Sequence, residues 1–186
     1  MAVRDLARKL TYEDYVLISE DGRRHEILDG EHYVTASPFI RHQDVIGNLH
    51  FALSVFNRAH RLGKILLAPT DVVLSPHDVV VPDLIFVSNE RLSIVAEKNV
   101  EGAPDLIVEV LSKRTRQRDE GLKLHLYERH WVREYWILDP DRRTAKVFRR
   151  IGKRLQLAAS LSAEPGEVLT TPLLPGLSMP LSEIFA

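Results

Sequence analysis

The chain has 186 residues, 45% of them hydrophobic, which suits one compact domain with a real core. The absence of cysteine excludes disulfides, thiolate zinc sites, iron–sulfur clusters and a cysteine nucleophile, and is compatible with a reducing, cytoplasmic setting. A net charge of −1 lacks the global basic balance that marks many nucleic-acid binders.

The first ten residues carry charges where a signal peptide needs an apolar stretch, and no uninterrupted apolar run approaches membrane length. The expectation is a soluble protein with no membrane partner. Thr11 with Asp14 predicts a capped helix that runs through Tyr15 and Ile18 and stops before Gly22. Residues 24–28 and 31–35 read as two short strands around Asp29-Gly30, a strong hairpin signal. Ser37-Pro38 offers an N-cap with proline in the first turn. Val45, Leu49, Ala52, Leu53 and Phe56 then repeat at helical spacing until Gly63 supplies a stop.

Residues 64–68, 72–74, 83–87 and 105–111 follow as strands whose apolar continuity implies burial on both faces, with turn signals at 75–78 and 102–104. A helix is predicted over 117–130, then strands over 134–138 and 144–148 around the Asp139-Pro140-Asp141 turn. The tail, with Pro165, Pro172, Pro175 and Pro180, reads as loop closed by a short apolar segment at 181–185. Together these elements predict an α+β fold, a mixed β-sheet flanked by helices. It forms a single domain over 1–186, with its core at about 23–150 and a C-terminal extension at about 151–186.

Two apolar runs carry acids: one holds Asp83 after Pro82, the other Asp105 and Glu109. A carboxylate taken out of water costs several kcal/mol unless it is paired or holds a cation, so such residues point to a metal site. Asp105 and Glu109 share a strand face, but four steps of roughly 3.3 Å put them about 13 Å apart. Asp83 on a neighbouring strand can sit beside Glu109, which makes these two the better pair and Asp105 a bystander. The bland alternatives are an edge-strand role for Asp83 after a proline, and an internal salt bridge or a solvent-facing strand for Glu109.

Lys123 lies one, three and four positions from Leu122, Leu126 and Tyr127, near the face that packs inward. It either points at the sheet, snorkels to water or pairs with Asp119. The basic run containing Lys113, Arg114, Arg116 and Arg118 connects Glu109's strand to Lys123's helix, where it contacts phosphates or forms a solvated loop. Trp131, Tyr135 and Trp136 interleave with aliphatic residues and read as packing rather than a base-stacking platform. The chain has no phosphate-binding G-x-x-x-x-G-K-[ST] loop, no G-x-G-x-x-G, no G-x-S-x-G elbow and no zinc-type histidine spacing.

Several of these residues, in this order, resemble a known family. Pro82-Asp83, Glu109 within Val108-Glu109-Val110-Leu111-Ser112, Lys123 and Tyr127 within Lys123-Leu124-His125-Leu126-Tyr127, and Glu134 to Pro140 are similar to the "putative restriction endonuclease" family of the PD-(D/E)xK nuclease superfamily. The resemblance runs from the Tyr12 helix through Glu26 to Gly30 and His42 to Pro175-Gly176-Leu177 and Ile184-Phe185. The superfamily's third signature position, two residues after the glutamate, holds Leu111 instead of lysine, and Lys123 matches the lysine that the family supplies from the following helix.

The resemblance implies a restriction-endonuclease-like fold and a metal-dependent endonuclease that hydrolyses DNA. Asp83 and Glu109 would hold Mg²⁺ or Mn²⁺, and Lys123 would position the water or stabilise the transition state. Glu26 either adds a carboxylate to the site or is a surface strand acid. His42 either serves the site or is structural, and Asp71 is a candidate neighbour. By analogy with cutting two strands, a homodimer is the implied assembly. The rival reading is a catalytically inactive descendant that binds nucleic acid or a protein partner.

Overall fold

The computed structural model describes residues 8–18, 21–35, 39–164 and 166–186. A capping box opens α1 (Tyr12–Tyr15): the Thr11 side chain accepts from the Asp14 N–H, and the Asp14 carboxylate accepts from the Thr11 N–H at 2.9 Å. The helix is shorter than expected, because Leu17 and Ile18 donate to Asp14 and Tyr15 in tight three-residue turns. β1 (Arg24–Leu28) and β2 (Glu31–Thr35) pair antiparallel through Asp29 and Gly30, both at positive φ, as a two-residue hairpin of that composition requires.

α2 (Ile40–His60) buries Val45, Ile46, Leu49 and Leu53. Ser37 and Pro38, read as its N-cap, lie outside the described residues. Its end differs from expectation: the left-handed residue is Arg61, which donates to the Asn57 carbonyl at 2.7 Å. Gly63 instead opens β3 (Gly63–Leu67), where a Cβ would run into the Val87 carbonyl and the Phe86 ring.

β4 (Val72–Ser75) turns into β5 (Asp78–Val80), a short strand that the sequence reading did not resolve, and β6 (Leu84–Ser88) follows. After a 3₁₀ turn (Asn89–Ile94) come β7 (Val100–Glu101) and β8 (Leu106–Val110). The helix expected over 117–130 has two parts: a π-helical segment (Arg118–Lys123), then α3 (Leu124–Arg129). β9 (Glu134–Asp139) and β10 (Thr144–Ile151) are joined by the expected turn.

The largest departure is β11 (Arg154–Ser162), nine residues of strand where loop was expected. Gly152-Lys153 makes a two-residue hairpin, with Gly152 at φ 60°, that pairs β11 with β10. β12 (Val168–Leu169), β13 (Met179–Pro180) and α4 (Leu181–Ile184) complete the chain.

The architecture is α+β and mixed. A six-stranded sheet has the order β11-β10-β9-β8-β6-β3, with β8 and β9 parallel and the other pairs antiparallel. A five-stranded sheet, β2-β1-β5-β4-β7, lies beside it. Alternation along β8 divides the core: Leu106, Val108 and Val110 face α2 and the tail residues Leu169, Leu174 and Leu181, whereas Ile107 and Leu111 face Leu126, Tyr127 and the second sheet. Both faces of β6 and β8 are covered, and Glu109 falls on the same side of its strand as Ile107 and Leu111.

The tail is tied down by Glu134, which receives hydrogen bonds from Thr171, Trp136 and Arg149. Tyr135 and Trp136 are core residues, but Trp131 is exposed at φ 65°, with the Arg150 guanidinium 4.9 Å from its ring centroid. Among the described residues no helix is long and apolar enough to cross a membrane.

Candidate active site

The β6–β8 register pairs Leu84 with Val108, so Asp83, one residue ahead of β6, comes level with Glu109. Asp83 is buried and fully engaged. Its Oδ1 accepts from Arg24 Nη1 at 2.7 Å, and its Oδ2 accepts from the Val110 N–H at 2.8 Å and from His42 Nε2 at 3.1 Å. Burial alone would raise the carboxyl, but the His42 hydrogen bond and the Arg24 charge outweigh it and hold Asp83 at about 2. Three elements meet on this one side chain: β1 through Arg24, α2 through His42 and β8 through Val110.

Glu109 has a different environment on the same floor. Its Oε1 accepts from Lys123 Nζ at 2.7 Å and from the Tyr127 hydroxyl at 2.9 Å. Lys123 Nζ also lies 2.7 Å from Glu26 Oε1 and 3.8 Å from Asp119 Oδ1. Desolvation, with the neighbouring Asp119, Asp83 and Glu26 carboxylates acting against Lys123, pushes Glu109 up to about 8. Lys123 moves upward too: burial opposes its charge, and Glu109, Glu26 and Asp119 more than compensate. Asp119 is raised, chiefly by burial.

The π-helical segment explains how a helix delivers Lys123 to a strand glutamate. Its wide turn buries both Asp119 and Lys123 against the sheet. Tyr127, one turn further on in α3, reaches the same Oε1. Glu26 enters from β1, where the Val81 N–H donates to its Oε1 at 3.0 Å. Its Oε2 is buried without a hydrogen bond, 3.5 Å from Arg118 Nη2. Glu26 is therefore a buried member of the cluster and not a surface strand acid.

These groups line a cavity of about 570 Å³ that also takes in Phe39, Ser112, Arg114 and Thr115. The four cations of the basic run part ways. Arg114 lines the cavity, and Arg118 does so while donating to Thr35 at 2.7 Å and lying over the Tyr33 ring. Arg116 turns away to Asp139 at 2.7 Å, and Lys113 is exposed outside the lining. An arginine with a buried carboxylate in reach is fixed by it, so of this run Arg114 and Arg118 reach the cavity and Arg116 does not.

Among the described residues no group of three or more His, Asp or Glu side chains stands in metal-binding arrangement. Asp83 and Glu109 nevertheless make the two-carboxylate set that suits Mg²⁺, an ion that keeps most of its waters. Four buried carboxylates (Asp83, Glu109, Glu26, Asp119) face three cations (Arg24, Lys123, Arg118), and the proton that Glu109 keeps below about 8 offsets the fourth until a cation displaces it. Oxygens of Glu26 and Asp119 lack hydrogen-bond partners. The donor set fits a hard divalent cation.

Asp105 is at the far end of β8, bound to Arg91, Arg133 and the Ser88 N–H. Asp71 accepts from the Tyr15 hydroxyl at 2.7 Å and is not among the cavity-lining residues. Arg24 escaped the sequence reading altogether. The available signal was its spacing: two residues before Glu26 on one strand, it must share that residue's face.

A family model described as "Uma2: Putative restriction endonuclease" matches residues 11–182. Among solved structures, the chain resembles the crystal structure of a putative nuclease belonging to DUF820 from Anabaena variabilis ATCC 29413. The TM-score is 0.79 at 19% identity, covering 95% of this chain and 97% of that one. The two therefore share a fold. No curated protein matches this chain.

Proposed function

Because the chain belongs to the Uma2 family, described as putative restriction endonucleases, we propose that it is a metal-dependent endonuclease hydrolysing DNA phosphodiester bonds at the Asp83–Glu109–Lys123 cluster. The observation that carries this reading is the ammonium of Lys123, 2.7 Å from both Glu109 and Glu26 at a cavity floor that also holds Asp83. Asp83 and Glu109 are the residues that would hold Mg²⁺ or Mn²⁺. When bound, such an ion supplies polarisation of the phosphate and a water of lowered pKa.

The protein's own groups do the rest. Lys123 offers its remaining N–H to an attacking water or to charge growing on the phosphate, in a dry setting where such a contact is strong. Tyr127 and Glu26 fix the ammonium and the Glu109 oxygen, so little reorganisation is needed on reaction. Arg24 neutralises Asp83 in the free protein and, at the cavity wall, is placed to meet a phosphate oxygen. Arg114, exposed and lining the same cavity, adds a contact to the phosphate backbone.

The test is cleavage of plasmid, linear, branched and single-stranded DNA with Mn²⁺ or Mg²⁺, by wild type and by Lys123→Ala. Activity that Lys123→Ala loses by about a hundredfold or more, with an unchanged circular dichroism spectrum, supports the proposal. A second reading rests on a specific observation: Asp83, Glu109 and Glu26 each already have a protein cation beside them. In that reading the network is structural and the cavity binds nucleic acid or a protein without cutting. Loss of Mn²⁺ binding in Asp83→Ala and Glu109→Ala favours the enzyme, and wild type that binds no Mn²⁺ and leaves every DNA intact favours the binding module.

A further inference from the structure

The outer face of α2 carries an ordered row of exposed side chains. Ile40, Asp44, Gly47, Phe51, Val55 and Arg58 are all exposed. At 3.6 residues per turn they fall within an arc of about 80°, opposite the buried Val45, Ile46, Leu49 and Leu53. Ile40 is 82% exposed, Phe51 72% and Val55 55%, so three large apolar side chains stand in one row. A Cβ at Gly47 would meet nothing within 4 Å, so the row contains a flat step. Among the described residues neither Asp44 nor Arg58 has an ion-pair partner.

The row is complementary to itself. Asp44 and Arg58 stand seven residues before and after Phe51, and Gly47 and Val55 stand four before and after it. Turning a second copy about a two-fold axis through Phe51 therefore sets Asp44 against Arg58 twice, Val55 over Gly47 twice, and Phe51 on Phe51. A surface shaped for an unrelated partner has no reason to carry this symmetry. We infer that the outer face of α2 is a homodimer surface, in which two copies of this chain pack their α2 helices antiparallel about Phe51.

A single 21-residue helix offers a small patch compared with a standard interface of roughly 800 Å² per partner, so association is to be sought at micromolar concentrations and above. His42 precedes Phe51 by nine residues, about 13 Å along the helix, and the two cavities come to lie toward opposite ends of the paired helices. The surface does not use the cavity residues, so its test is independent of the catalytic reading.

Sedimentation velocity of the full chain across the micromolar range decides the matter. Wild type should form a concentration-dependent dimer, and Phe51→Glu should sediment as a monomer with an unchanged circular dichroism spectrum. Asp44→Arg and Arg58→Asp should each weaken association by at least about tenfold, and the two together should restore it, because the exchanged charges meet again. A wild type that stays monomeric, a dimer that survives Phe51→Glu, or a double variant no tighter than the single ones overturns the inference. So does association with a folded Phe51→Glu chain when labelled wild type is mixed with it at equal affinity.

Discussion

Arg24 and Asp83 are joined by a 2.7 Å ion pair across fifty-nine residues of sequence, on the wall of the cavity. That contact gives Asp83 a cation of the protein's own, and anything else with positive charge must share the carboxylate with it. Arg24→Gln should therefore bind Mn²⁺ several-fold more tightly than wild type, as read by calorimetry or electron paramagnetic resonance. DNA cleavage should fall by about a hundredfold, because the same guanidinium is lost to the phosphate. Weaker Mn²⁺ binding in this variant would show that Arg24 holds Asp83 in place rather than competing for it.

Glu109 makes stability depend on pH. Its carboxyl is held at about 8 in the fold against 4.5 in the unfolded chain. Between those values the folded state keeps a proton that the unfolded state has lost, so stability falls as pH rises, by at most about 1.4 kcal/mol per unit. The melting temperature of the metal-free protein should drop from pH 5 to pH 8, and Glu109→Gln should flatten that slope. Asp83, depressed to about 2, acts only below 3.8 and leaves this window alone.

The same proton must leave before a cation can use Glu109. Mn²⁺ affinity should accordingly rise by up to about tenfold per pH unit until pH 8 and then level off. An affinity that does not change between pH 6 and pH 8 removes Glu109 from the set of ligands.

Lys123 sits among three carboxylates at the cavity floor, and its side chain is only 2% exposed. Replacing it alone strands buried negative charge, at a cost of roughly 3–5 kcal/mol for Lys123→Met. Lys123→Met with Glu109→Gln should recover a large part of that loss in urea unfolding at pH 9, above the Glu109 value of about 8, because both charges of the pair are then gone. A double variant as unstable as the single one would assign the stabilising contact to Glu26.

The basic run offers an internal contrast. Arg114→Ala should weaken DNA binding and lower the salt-dependence slope by about 1, as expected for one lost phosphate contact, without changing the melting temperature. Arg116→Ala should do the reverse, since its guanidinium holds Asp139 and the turn that follows β9. Equal effects of the two on the salt slope would show that Arg116 also meets the phosphates.

The readability of this fold in the sequence follows the strength of local signals. Asp29-Gly30 defined the first hairpin to the residue, because that dipeptide tolerates the positive φ that the turn demands. Gly152-Lys153 carries a similar signal, yet the sequence of β11 reads as loop: its solvent side is polar and its core side weak, with Leu155 its only buried residue. At the site, the rise of the strand is enough to set Asp105 apart from Glu109, with which it shares a face. For Arg24 the local pattern says only that it shares a strand face with Glu26; that it meets Asp83 follows from the packing of its strand against the loop before β6, which no local pattern records.

The π-helical segment has a consequence for how such a site is found and altered. Lys123 reaches Glu109 by angular phase about a helix axis, not by its distance along the chain. A search for a lysine two positions after the glutamate halts at Leu111, an apolar core residue, and would score the chain as dead. The converse also holds. The wide turn houses one more residue than an α-turn of the same sweep, so inserting or removing a residue in the segment preceding Arg118 is absorbed only by winding or unwinding that turn. The phase that Lys123 presents to the sheet is a property of the whole segment and not of the lysine alone.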